Sequence, residues 1–168
     1  MPTLSMPVNI NQNYDAVANT RLYGCTVSCA CDVASYYGNT TYTLNDMKNS
    51  GVFTDTDATC YWGNVPDASF ASVTFTATSS YYSRIRSEID AGRPVVVRMN
   101  SESGHYVVAY GYTGHGASPS LIYVLDPYNS TGRGVKSNDP NGCDHTLQDA
   151  FNVQGATKPD LLMVTAAK

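Results

Sequence analysis

YGCTVSCACDVASYYG, residues 23–38, decides how this chain is read. Cys29, Ala30, Val33, Ala34 and Tyr37 recur at helical spacing, and Gly38 supplies a stop, so the segment predicts a buried helix that begins at Cys25. A thiol in the first turn of a helix meets unpaired backbone N–H groups and the positive end of the helix dipole, and both favour a thiolate. On its own a cysteine in a buried helix packs as a small hydrophobe, which is how Cys29 and Cys31 are read. Cys25 needs partners before it means more.

Outward from this helix the pattern changes. Thr43 is the expected N-cap of a short helix, TLNDMKNSG, that stops at Gly51. TCYWGNVPD contains a helical turn, and SVTFTAT alternates as a strand does. In YYSRIRSEIDAG, Tyr82, Ile85 and Ile89 share one helical face, and Gly92 closes it. The period then drops to two: PVVVRM, HYVVAYGY, LIYVLD and LLMVTA are β-branched or aromatic runs separated by Gly, Ser, Pro and Asn, which predicts an antiparallel sheet. Helices first and strands later give an α+β class. No repeat, low-complexity tract or charged linker interrupts residues 1–168, so a single domain is expected.

The partners of Cys25 lie on these strands. SGHYVVAYGY puts His105 at the start of a strand behind a Ser/Gly loop, held by the sheet with its ring toward a cleft, which is what a general base needs. LIYVLDPYN ends a following strand at Asp126, where Pro127 stops the pairing. Neighbouring strands would set Asp126 beside His105, fixing the histidine tautomer and stabilising its imidazolium. Alone, Asp126–Pro127 is a turn. In the order Cys25, His105, Asp126 the three make a nucleophile, a base and an orienting acid.

Composition narrows the rest. Hydrophobic residues make up 42% of the chain and charged ones 14%, which places it among globular proteins. The 10 Lys+Arg against 14 Asp+Glu give a formal net charge of -4, with the basic residues scattered, so neither nucleic acid nor a membrane surface is an expected partner. MPTLSMPVNINQNYD lacks a basic region followed by an apolar stretch, and no window is long enough to span a bilayer; the reading is a soluble monomer without an export signal. The 13 tyrosines, with abundant Ser, Thr, Asn and Gly, suit contact with cell walls or extracellular polymers, which would put the site of action outside the cytoplasm. Cysteines at 25, 29, 31, 60 and 143 cannot all pair, and a Cys60–Cys143 bridge is left open.

Cofactor chemistry has little support. CxxxCxC on one helix spreads its thiols round the circumference, which does not make a zinc site. FTDTDATC and SNDPNGCD carry loop aspartates without the ligand ladder of a calcium loop. No metal or cofactor is expected. His115, in TGHGAS, and His145, at a helix start in NGCDHTL, read as surface histidines. Trp62 and Tyr61 either line a groove or fill space beside the first helix.

YGCTVSCACDVASYYG also resembles the nucleophile helix of the bacteriocin-leader-processing (double-glycine) peptidases and their free-standing relatives, which carry C-G-P-x-S-L-A-M before a tyrosine and glycine. GRPVVVRM, GHYVVAYGY and VLDPYN are similar to that family's later strands, in the same order. Thr26 and Val27 depart from it, standing where Gly and Pro are usual. The resemblance implies a papain-like cysteine peptidase fold, with the nucleophile helix packed on an antiparallel sheet. It implies Cys25 as nucleophile, His105 as base, Asp126 as orienting acid, and an upstream glutamine whose amide joins the Cys25 N–H in an oxyanion hole. Gln12 matches that glutamine best, with Asn11 and Asn13 as competing amides. The expected activity is hydrolysis of peptide bonds through a thioester. With no transporter domain in view, a lysin acting on peptidoglycan peptides fits best. The alternatives are a non-catalytic binding module on the same fold, a leader-peptide or protein-processing peptidase, and acyl or peptide transfer.

Overall fold

The β-branched runs build one sheet. In the computed structural model, which describes residues 2–128 and 145–168, the strands are β1 (Ala68–Val73), β2 (Val95–Met99), β3 (Tyr106–Tyr112), β4 (Ile122–Leu125) and β5 (Pro159–Ala167). Their order is β1-β5-β2-β3-β4, and every neighbouring pair is antiparallel. Helices precede and flank it: α1 (Ala18–Tyr23), α2 (Cys25–Gly38), α3 (Leu44–Asn49), α4 (Thr78–Asp90) and α5 (Leu147–Gln154).

Both faces of the sheet are covered. Val96, Val108, Tyr110, Leu125 and Met163 pack with α2 on one side. Val95, Val97, Val107, Ala109, Ile122, Val124 and Leu162 pack with α4 and α5 on the other. Two buried faces explain why the strands read as continuous apolar runs, without the apolar/polar alternation of a half-exposed antiparallel sheet. Val95, Val96, Val97, Val107 and Val108 are wholly buried, each contributing roughly 1.5–3 kcal/mol relative to exposure. The centre of the sheet is thus the rigid base from which the ends of β3 and β4 project. No helix among the described residues is long and apolar enough to cross a membrane.

The local signals are realised with two corrections. Thr43 caps α3 in a reciprocal capping box with Asp46, as its position predicts. The stop of α2, however, is Asn39, which adopts the left-handed conformation (φ 46°, ψ 46°) while Gly38 is still helical. Gly38 is needed for a different reason: a Cβ there would lie 2.4 Å from the Asp67 carboxylate. The second correction is β1, which forms from Ala68–Val73 and not from SVTFTAT. Beyond Val73 the chain leaves the sheet, because the Phe75 N–H donates to the Tyr81 hydroxyl (3.1 Å) and the two rings meet edge to face.

Candidate active site

Antiparallel pairing of β3 with β4 aligns Val108 with Leu125, which brings the start of one strand beside the end of the other. His105 and Asp126 sit at those two ends. His105 Nε2 lies 2.7 Å from Asp126 Oδ1, and both side chains are buried. The backbone N–H of Tyr128 donates to the same Oδ1 at 2.9 Å. The His105 N–H donates to Ser101 Oγ (3.2 Å) and its carbonyl accepts from the Met99 N–H (3.0 Å). Backbone and ring are therefore both fixed.

Cys25 is the first residue of α2 and is half-buried. Gly24 separates it from α1, serving as C-cap of one helix and N-cap of the next. Only glycine fits there, since a Cβ would stand 2.3 Å from the Thr20 carbonyl oxygen. Ser28 is the first residue of α2 whose N–H closes onto a backbone carbonyl, that of Gly24 at 3.0 Å. The N–H groups of Cys25, Thr26 and Val27 have no backbone acceptor among the described residues. This is the donor-rich helix N-terminus expected to stabilise an anion.

His105 joins the two halves. Nε2 faces Asp126, and the Cys25 thiol acts on the charge of the same ring. Burial pulls the His105 pKa down, but the hydrogen bond to Asp126 and the interaction with Cys25 outweigh it and hold the ring at about 9, against the ordinary 6.5. Asp126 moves the other way. Burial pushes its carboxyl up, yet hydrogen bonds from His105 and His145 bring it below the ordinary carboxylate value. An imidazolium flanked by a carboxylate and a sulfur is the state this geometry favours.

Gln12 lines the same groove as Cys25 and His105. Its backbone N–H donates to the Pro127 carbonyl (2.9 Å), and its Nε2 donates to the Arg21 carbonyl (2.9 Å). Arg21 is four residues before Cys25, so Gln12 occupies the carbonyl that a continuous helix would give to the Cys25 N–H. The side chain is 1% exposed, and Oε1 has no partner among the described residues. Asn11 is occupied otherwise, accepting from the Asn13 N–H at 2.9 Å, and neither asparagine lines the groove. The segment is tied to α2 through Asp32, whose Oδ1 accepts the Ile10 N–H at 3.0 Å.

The groove encloses about 710 Å³, and its walls include Tyr23, Ala58, Cys60, Trp62, Tyr106 and Tyr128. None of the described lining residues is Lys, Arg, Asp or Glu. Trp62 serves both readings left open by the sequence: it lines the groove, and its ring packs 4.8 Å from Phe70 and 6.1 Å from Tyr106. Tyr61 is exposed outside that lining.

A model of the Peptidase_C39 like family matches residues 7–158. The chain belongs to that family. The match spans Gln12, Cys25, His105 and Asp126, and the fold of this C39-like chain is the α+β, papain-like arrangement of a helix on an antiparallel sheet. No curated protein matches the chain.

His145 differs from its sequence reading. It is 6% exposed, and its Nε2 lies 3.1 Å from Asp126 Oδ2. The available signal was the capping box of Thr146 and Asp149, which fixes the entry of α5, but no local pattern says which strand that entry abuts. His115 is exposed, as expected. Cys29 and Cys31 are fully buried in α2, and burial pushes both thiols well up. Cys60 forms no disulfide among the described residues, and burial pushes its thiol up to about 12. The bridge left open between Cys60 and Cys143, and the loop SNDPNGCD, fall on residues 129–144, outside the described residues. In FTDTDATC, Asp55 pairs with Lys48 (3.0 Å), and Asp57 accepts from the Thr59 N–H (3.0 Å).

Proposed function

We propose that this C39-like chain is a cysteine peptidase of lysin type, in which Cys25, His105 and Asp126 form a triad completed by Gln12 and which hydrolyses peptide bonds in peptidoglycan. The observation that carries the proposal is the position of His105, bonded through Nε2 to Asp126 and lining the same groove as the thiol at the N-terminus of α2.

In this reading the Cys25 sulfur, with its proton on His105, attacks the peptide carbonyl. The oxyanion takes hydrogen bonds from the Cys25 N–H and the Gln12 amide. His105 gives its proton to the amine as the C–N bond breaks, leaving a thioester on Cys25. Water then attacks with His105 as base, and the acyl group leaves as a carboxylic acid. The chain's own residues supply each step.

The groove supports the substrate class. Its aromatic walls, with no Lys, Arg, Asp or Glu among the described lining residues, suit a short, uncharged peptide stretch such as a wall cross-bridge. The test is incubation of the protein with purified cell walls. New amino termini should appear, and Cys25→Ala should release none. Cleavage of unfolded proteins with walls untouched would replace the lysin reading by that of a protein-processing peptidase. Capture of added amines in place of water would assign it to acyl transfer, and binding of walls without cleavage would make it a binding module.

A further inference from the structure

The carboxylate of Asp126 is gripped at both oxygens. Oδ1 takes His105 Nε2 at 2.7 Å and the Tyr128 N–H at 2.9 Å, while Oδ2 takes His145 Nε2 at 3.1 Å. His145 reaches the site from an element that none of the triad uses. It directly precedes Thr146, the N-cap of α5, and its carbonyl accepts the Val124 N–H at 3.1 Å, two residues before Asp126 on β4. Thr146 forms an antiparallel bridge with Tyr123. The ring is thus carried on a stretch of backbone fastened to the same strand that carries Asp126.

Its chemistry is restricted. A carboxylate oxygen only accepts, so His145 Nε2 must carry the hydrogen. Nδ1 is buried and has no partner among the described residues. Among the described residues Asp126 is the one side-chain partner of His145, which fits it for holding a carboxylate. The titratable groups that act on this centre are His105 at the start of β3, His145 before α5, and Cys25 and Cys29 on α2.

We propose that His145 is a positioning residue for the reaction: by holding Oδ2 it keeps Oδ1 aimed at His105. The proposal rests on the peptidase reading above. Without His145 both remaining donors among the described residues fall on Oδ1, and Oδ2 becomes a buried acceptor that none of them serves, a costly state in a low-dielectric site. The carboxylate would then turn to share its donors or take up a proton. Either change loosens its hold on His105, and with it the imidazolium that faces Cys25.

The test compares His145→Ala and His145→Gln with the wild-type chain, because the glutamine amide can place a donor where imidazole Nε2 stands. The first readout is the rate of Cys25 alkylation by iodoacetamide across the pH range, which needs no substrate. His145→Ala should slow it about tenfold at neutral pH, the scale of losing one supporting contact around a site, and should move its acid limb upward, since Asp126 loses a donor that lowers it. His145→Gln should restore most of the rate. On cell walls the alanine variant should lose kcat with KM unchanged.

A side chain that only fills space would lower the melting temperature in both variants and leave the alkylation profile as it was. A folded His145→Ala with the wild-type profile, or a folded His145→Gln no better than alanine, overturns the proposal. If the alanine variant does not fold, nitrogen NMR of labelled histidine in the wild-type chain decides. One ring, absent from the spectrum of His145→Gln, should show a hydrogen-bonded Nε2–H and a bare Nδ1. The opposite tautomer, or an Nε2–H that is unchanged in Asp126→Asn, overturns the proposal. If wild-type Cys25 has no special reactivity, the peptidase reading fails separately, and the NMR result still judges the grip on Asp126.

Discussion

Asp126→Asn keeps the shape of the side chain and removes its charge. Three donors converge on the carboxylate, His105 Nε2, His145 Nε2 and the Tyr128 N–H, and an amide offers them one oxygen while turning an NH₂ toward the rest. Burial by itself pulls the His105 pKa down, and it is chiefly the Asp126 hydrogen bond, then that of Cys25, that raises the ring to about 9 from 6.5. That rise corresponds to about 3 kcal/mol in favour of the imidazolium, at about 1.4 kcal/mol per pKa unit. In the variant most of this preference goes, only Cys25 is left to oppose burial, and His105 should titrate near or below its ordinary value. The ring is then mostly neutral at pH 7 and no longer fixed in the required tautomer, and kcat on cell walls should fall by about 10³–10⁴, as loss of the orienting acid does in comparable triads. NMR titration of labelled histidine, with His105 assigned by its absence in His105→Ala, reads the first effect, and wall hydrolysis reads the second. A variant whose His105 still titrates near 9, or whose kcat stays within about tenfold of wild type, would refute the reasoning.

Gln12→Ala should lower kcat about 10²–10³-fold, the range for loss of one oxyanion donor, while iodoacetamide alkylation of Cys25, which forms no oxyanion, changes little; equal losses in both assays would remove Gln12 from that role. Gly24→Ala places a Cβ 2.3 Å from the Thr20 carbonyl, so the start of α2 must shift by roughly 1 Å, a displacement that can cost about 10² in rate; melting curves and kcat/KM of the variant check this. Stability should depend on pH through the same pair. The raised His105 contributes stability that is complete below 6.5 and is lost as pH rises through about 9, whereas the lowered Asp126 contributes stability present above 3.8 and lost as pH falls through its depressed value. Wild type should therefore lose about 5–12 °C more in melting temperature than Asp126→Asn between neutral and strongly alkaline buffer, at about 2–4 °C per kcal/mol for a chain of this size; parallel curves would count against the ion pair.

The sequence carried those parts of the site that obey local rules. The helix at Cys25 followed from spacing, and His105 and Asp126 followed from the ends of two apolar runs, because adjacent antiparallel strands bring such ends together. Gln12 needed the family resemblance, since nothing local distinguishes it from Asn11 and Asn13; what separates them is which side chain reaches the Arg21 carbonyl. His145 was misread as a surface residue because its role depends on α5 entering against β4, a contact between segments with no shared periodicity. The displaced start of β1 has a similar cause. SVTFTAT alternates well enough to pair, but Tyr81 takes the Phe75 N–H and ends the ladder. Tertiary contacts also moved the end of α2 from Gly38 to Asn39, with Gly38 kept glycine by the closeness of Asp67.

Iodoacetamide labelling near neutral pH, with the modified cysteines located by peptide mapping, tests the Cys25–His105 pair most directly. Cys29 and Cys31 are fully buried, and Cys60 is pushed up to about 12, so Cys25 should react ahead of all three. In His105→Ala that advantage should vanish while the folded structure persists. Cysteines that are uniformly inert, or a Cys25 that keeps its reactivity without His105, would contradict a catalytic pair.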